Sequence, residues 1–218
     1  MRKIIILTVL CLCNILYLRS QDITGHVFSK SNTPIQFANV ILLSTEDSTY
    51  ISGCVTDSLG AFSIKTSHPE REILKVSCLG YKTVLTSIKN SKYPGNIILP
   101  YDETSLQGIT VTASRPVFAY QKGSLITSVA GTALARSYSV QDILEQIPGM
   151  VRTASGGLEV FGIGSPVIFI NNRKIQDQSE INRLSPNNIK NIELITNPGA
   201  EYNAEGRAVL KITTLNKN

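Results

Sequence analysis

The sequence predicts a mainly β chain in which a seven-stranded β-sandwich is followed by a mixed α/β domain. Three observations carry this. Between Asp22 and Pro100, short apolar runs recur at close spacing with turn residues between them, the pattern of a sandwich. Beyond a polar, turn-rich stretch, 100–108, the pattern changes to strands mixed with a capped helix. Composition agrees: 42% hydrophobic, 17% charged and no tryptophan over 218 residues fits one or two globular, strand-rich domains.

Residues 1–20 read as a secretory signal. Arg2-Lys3 form the charged start, and the apolar stretch Ile4 to Leu18 is broken only by Thr8 and Asn14. The expected cut follows Ser20 and leaves Gln21 as the new N-terminus. The run is short and interrupted for a membrane anchor, and Cys11 and Cys13 each follow leucine rather than the small residue a lipoprotein site would need. Removing Arg2, Lys3 and Arg19 from the 21 basic residues leaves 18 against 16 acidic, so the formal charge of +5 falls to +2. No Lys/Arg cluster remains, which excludes nucleic-acid binding by a basic patch.

In the first domain, residues 21–100, strands are expected at Ile23 to Ser29, Phe37 to Ser44, Tyr50 to Thr56, Ala61 to Lys65, Ile73 to Cys78, Tyr81 to Ile88 and Asn96 to Leu99. Ser31-Asn32-Thr33-Pro34 joins the first two and Asp57-Ser58-Leu59-Gly60 the third and fourth, with the Asp57 side chain capping its own turn. Alternation puts Cys78 on the buried face of Leu74 and Val76, and places Val55 inward with Cys54 opposite in phase. The expected state is therefore two free thiols. His26 and His68 stand apart from any metal-ligand spacing, so neither a metal nor a cofactor is indicated.

The wording of this region is Gly25-x-Val27, Pro34-Ile35 before Ala38-Asn39-Val40, Thr56-Asp57-x-x-Gly60-x-Phe62, then Gly80-Tyr81. It resembles the carboxypeptidase-regulatory-like domain, and that resemblance implies a Greek-key sandwich of the transthyretin kind, a domain without catalysis of its own. The residues supply none either. No H-E-x-x-H or H-x-x-E motif occurs, and no serine sits in a G-x-S-x-G elbow, so no catalytic residue is named.

Residues 101–108 form the linker and 109–218 the second domain. Ser139 caps a helix with apolar residues at Val140, Ile143, Leu144 and Ile147, ended by Pro148-Gly149. Strands are expected at Met150 to Thr153, Gly157 to Phe161 and Pro166 to Ile170, with a turn at Gly156-Gly157 and a tight hairpin at Asn171-Asn172 before Arg173-Lys174-Ile175. A short helix follows at Ser179 to Leu184, then a turn at Ser185-Pro186. Gly162 and Gly164 do not open a helix after a strand, which excludes a phosphate loop. The chain closes on Ile192 to Thr196, stopped by Asn197-Pro198-Gly199, a polar loop from Glu201 to Arg207, and Ala208 to Thr214.

That closing pair, with Asp142, Leu144, Pro148-Gly149 and Val167, Ile170, Ile175, resembles the plug domain of TonB-dependent outer-membrane receptors. Departures fall at glycines: Pro198-Gly199 inverts the usual order, Asn203 follows Tyr202, Gly206 stands alone, and Asn171-Asn172 replaces Asp-Gly. By the same resemblance Ile109, Thr110, Val111, Thr112 and Ala113 match the TonB box, the segment that contacts the periplasmic domain of TonB by strand addition. As physics these residues are an alternating β-prone run and read equally as the domain's first strand.

The resemblance implies a non-enzymatic, plug-bearing component of a TonB-dependent outer-membrane receptor, active in nutrient uptake or its signalling. It also implies an exported protein on the periplasmic side of the outer membrane. Its partners would be TonB and an outer-membrane β-barrel of the same or a neighbouring chain. Only Leu215 to Asn218 follow the last strand, so the barrel is not in this sequence. The alternative expectation is a periplasmic or surface scaffold that binds carbohydrate or protein and keeps the plug only as a fold.

Overall fold

A computed structural model of the chain describes residues 21–88, 94–102, 116–177, 179–199, 202 and 208–215. Residues 1–20, where a leader is expected, and the candidate segment 109–113 lie outside the described residues. The fold is mainly β with several sheets. Seven strands come first among the described residues: β1 (Gln21–Ser29), β2 (Asn39–Ser44), β3 (Tyr50–Val55), β4 (Ala61–Thr66), β5 (Glu72–Ser77), β6 (Val84–Ser87) and β7 (Asn96–Leu99). Each falls on an expected strand. They divide into a three-stranded sheet ordered β4-β1-β7 and a four-stranded sheet ordered β3-β2-β5-β6. β1 pairs β4 antiparallel and β7 parallel, while the second sheet is antiparallel throughout.

One core lies between the two sheets, an arrangement consistent with a β-sandwich. Ile23, Val27, Phe62, Ile64, Ile97 and Leu99 from the first sheet meet Val40, Leu42, Leu74 and Val76 from the second. The period-two burial of β4 and β5 shows each contributing alternate side chains to this core. Turn chemistry closes the strands as the sequence requires. Asp57 Oδ1 accepts from the backbone N–H of Leu59 at 2.8 Å and of Ala61 at 2.9 Å. Gly60, at φ +73°, sits where an added Cβ would strike the Val27 carbonyl oxygen.

β3 breaks the simple alternation. Its register pairs Val40 with Cys54 and Asn39 with Val55, so Cys54 lies on the face of the fully buried Val40 and packs against the sandwich core. The expectation of an inward Val55 and an outward Cys54 is therefore reversed. Both faces of β3 are half-buried, one on its own core and one on the second unit, and alternation cannot tell them apart. Cys54 and Cys78 are free thiols, and both pack against the same core.

The second unit centres on a six-stranded sheet ordered β13-β12-β15-β14-β9-β8. Its strands are β8 (Phe118–Gln121), β9 (Ser124–Ser128), β12 (Val167–Ile170), β13 (Arg173–Lys174), β14 (Ile189–Ile195) and β15 (Val209–Thr214), with a separate hairpin of β10 (Met150–Arg152) and β11 (Leu158–Val160). α1 (Val140–Gln146) opens on the expected cap. The Ser139 hydroxyl accepts from the Asp142 N–H at 3.1 Å, and the Asp142 carboxylate accepts from the Ser139 N–H at 2.9 Å, a reciprocal capping box. α2 is shorter than expected, Ser179–Asn182. α1 and α2 cover one face of the sheet, burying Val140, Ile143, Leu144 and Ile181 against Leu194, Leu210 and Ile212.

The closing pair forms as expected, β14 antiparallel to β15, with β15 also parallel to β12. Asn171 and Asn172 both take positive φ, +49° and +68°, so the tight hairpin survives without glycine. Asn171 does more than turn the chain. Its amide donates to Thr214 Oγ1 at 2.8 Å and its carbonyl accepts from the Thr214 N–H at 3.0 Å, fastening the end of β15. No helix among the described residues is long and apolar enough to cross a membrane.

Candidate functional site

Ile109 to Ala113, the candidate partner-binding segment, lies outside the described residues, but both of its attachments are in view. Upstream, Tyr101 bridges Tyr81 and stacks on its ring at 5.1 Å, and the Asp102 N–H donates to the Gly80 carbonyl at 3.0 Å. Hydrogen bonds with Ser31 and Ser29 hold the exposed Tyr101 hydroxyl below its usual pKa, while burial raises that of Tyr81. Downstream, the Val117 carbonyl accepts from the Ser128 N–H at 2.8 Å, and the chain enters β8. The segment thus leaves from the sandwich and arrives at the edge strand of the six-stranded sheet.

Those two units meet along a seam built on the outer face of β2 and β3. Asn39, 4% exposed, points across it from the sandwich. Its carbonyl oxygen accepts from the Gly149 N–H at 2.8 Å, and its amide donates to the Ile147 carbonyl at 3.5 Å. The turn that ends α1 is thereby fixed by a residue of another sheet. Gly53 makes room beside it: a Cβ there would lie 2.9 Å from the ring of Phe161, so only glycine allows that ring to seat. Phe161 also stacks on Tyr50, with centroids 5.9 Å apart.

A third contact is made by Phe37, which adopts φ +65°, a conformation that bulky residues rarely hold. Its ring reaches Phe118 at 6.3 Å and Tyr120 at 5.5 Å, both on β8. Phe37 and Leu79, though residues of the sandwich, pack against the core of the second unit.

Cavities follow the seam. One of about 250 Å³ is mostly apolar and lies between Cys54 and Val55 on one side and Leu125, Gly149 and Phe161 on the other. Burial pushes the Cys54 and Cys78 thiols up to about 11, so both are protonated at neutral pH and poor nucleophiles. A second, of about 320 Å³, is mixed in character, with Lys75, Glu145 and Arg152 beside Ile41 and Met150 in its lining. Arg152 is engaged within it, pairing with Glu145 at 2.8 Å and donating to Gln141 Oε1 at 2.6 Å. Among the described residues, no group of three or more His, Cys, Asp and Glu could hold a metal ion.

Two features escape the sequence reading. The β8–β9 hairpin is one: its Lys122-Gly123 turn takes φ +50° and +82°, the two-residue hairpin geometry, with lysine where asparagine or aspartate would signal it, so Gly123 is the one local hint. The seam itself rests on pairs such as Asn39 and Gly149, 110 positions apart, for which no local signal exists.

A comparison with curated proteins finds no match. Among solved structures, a 9R-lipoxygenase from Cyanothece PCC8801 is 19% identical over 38% of this chain, with a TM-score of 0.29. The similarity spans 17% of that enzyme's chain, and a likeness of this size carries no argument about fold or function. The family comparison is specific: residues 23–111 match the model of the CarboxypepD_reg-like domain, a region that holds β2 to β7, most of β1, and the first three residues of the candidate segment.

Proposed function

We propose that this chain is a non-enzymatic, plug-bearing component of a TonB-dependent outer-membrane receptor, serving nutrient uptake or its signalling. In this reading the first unit is a Greek-key sandwich of the transthyretin kind, the second is the plug, and Ile109 to Ala113 is the box offered to TonB. The observation that carries it is one of order. A region matching the CarboxypepD_reg-like domain runs into the candidate segment. A mixed α/β unit follows, closed by the β14–β15 pair whose wording resembles a plug.

Further support comes from the terminal loop. Tyr202, in the segment that carries the plug-like wording, packs edge-on against Phe169 at 5.9 Å, and Lys211 Nζ donates to its hydroxyl at 3.3 Å. Tyr202 is therefore held on the sheet face opposite the helices. Pairing with TonB would proceed through backbone groups of an extended segment, so the role places little demand on the side chains of Ile109 to Ala113.

The test is fractionation of the producing cell with an antibody to the sandwich. The proposal expects the chain in the outer-membrane fraction, beginning at Gln21. Recovery in the cytoplasm, or with Met1 intact, would overturn it. Recovery only as a soluble periplasmic protein would favour the scaffold reading.

A further inference from the structure

We propose that Phe37 is a latch: a residue of the sandwich, held in a left-handed conformation, that keeps the edge strand β8 on the second sheet. This inference stands on the seam geometry and is independent of the receptor reading.

Three observations meet here. The first is the backbone of Phe37. A bulky side chain at φ +65° persists only where its surroundings over-determine it. Thr56, 2% exposed, supplies that restraint. Its carbonyl accepts from the Phe37 N–H at 3.1 Å, its hydroxyl accepts from the Ala38 N–H at 2.8 Å and donates to the Ile35 carbonyl at 2.7 Å, and its own N–H donates to the Ala38 carbonyl at 3.0 Å. Four hydrogen bonds thus aim one ring out of the sandwich.

The second observation is what the ring meets. Phe118 and Tyr120 alternate on β8 and share the face that carries Leu125 and Thr127 of β9. Phe37 lies against both, closing the second unit's core at its open side. Tyr120 is 64% exposed, and Phe37 is its ring partner among the described residues.

The third is the weakness of β8 without it. The strand is four residues long and, among the described residues, ends the sheet order and pairs with β9 alone. β14 and β15, by contrast, each have a strand on both sides. Short edge strands with few buried contacts occupy the low-stability end of a fold and open first. A latch on β8 therefore makes local opening of the second sheet depend on how the sandwich is seated.

The experiment is amide hydrogen exchange read by mass spectrometry on the whole chain, comparing wild type with Phe37→Gly and Tyr120→Ser. Glycine is at ease at this φ, so Phe37→Gly removes the ring while keeping the backbone that Thr56 holds. Tyr120→Ser removes the other side of the contact at an exposed position, and serves if the first variant does not fold. The latch predicts at least about ten-fold faster exchange across 118–121 in either variant, with β14 and β15 within about two-fold of wild type. Exchange across 118–121 within two-fold of wild type in a folded variant would overturn the proposal. So would equal acceleration across β14 and β15, which would make Phe37 a global packing residue.

Discussion

Replacing Asn39 by alanine tests the seam at its most specific contact. Asn39 is 4% exposed and its carbonyl oxygen accepts from the Gly149 N–H at 2.8 Å. The bond from its amide to the Ile147 carbonyl is long at 3.5 Å and contributes little. The substitution removes one good hydrogen bond, about 1 kcal/mol net, and strands a partly buried donor, which adds up to about 2 kcal/mol. Asn39→Ala should therefore destabilise the chain by about 1–3 kcal/mol, read as a lower urea midpoint with unchanged slope.

Asn39→Asp sharpens the case. It keeps the acceptor for Gly149 but places a carboxylate beside the Ile147 carbonyl. Burial and that carbonyl favour the protonated form, so the variant's folded-state pKa is raised, and its stability should be greater at acidic pH and fall as pH rises through that value. An Asn39→Ala stability within about 0.5 kcal/mol of wild type would refute the seam as an energetic contact.

Other outcomes follow from single positions. Gly60→Ala should cost at least about 1–2 kcal/mol of stability, because φ +73° penalises a Cβ and the Val27 carbonyl blocks it. Asn172→Gly should leave stability unchanged or raised, whereas Asn171→Gly should lower it by about 1–3 kcal/mol through loss of both bonds to Thr214; thermal melts separate the two. The thiols give a pH signature. With folded pKa values of about 11 against an ordinary 9.0, the folded state retains protons that the unfolded state releases. Stability should hold below pH 9 and decline between pH 9 and 11, by roughly 2 kcal/mol per thiol, and Cys54→Ala/Cys78→Ala should flatten that decline.

What could be read from the sequence was set by how local its physics is. The Ser139–Asp142 box and the Asp57–Gly60 turn complete their hydrogen bonds within a few residues, and the Asn171-Asn172 turn rests on positive φ values that asparagine itself tolerates, so composition alone announces them. β3 marks the limit. Its two half-buried faces serve different cores, and alternation, which presumes one wet face, assigns Cys54 and Val55 the reverse of their true phase. β8 is illegible for a related reason: burial along Phe118, Ala119, Tyr120 and Gln121 does not alternate, and the ring that meets Phe118 and Tyr120 comes from Phe37, far away in the sequence. The seam lies further out of reach, since Gly53 reads as a poor strand residue until Phe161 is placed against it.

The central claim is that Ile109 to Ala113 engages TonB, and titration of the whole chain with the purified periplasmic domain of TonB tests it most directly. Because backbone groups would carry the pairing, Thr110→Ala should bind like wild type. Val111→Pro should lose binding, since proline removes one N–H and restricts the residue before it. Circular dichroism and the urea midpoint must first show the proline variant folded. Binding by wild type and Thr110→Ala with loss in folded Val111→Pro is the predicted result. Absence of binding by wild type, or equal binding by Val111→Pro, would contradict it.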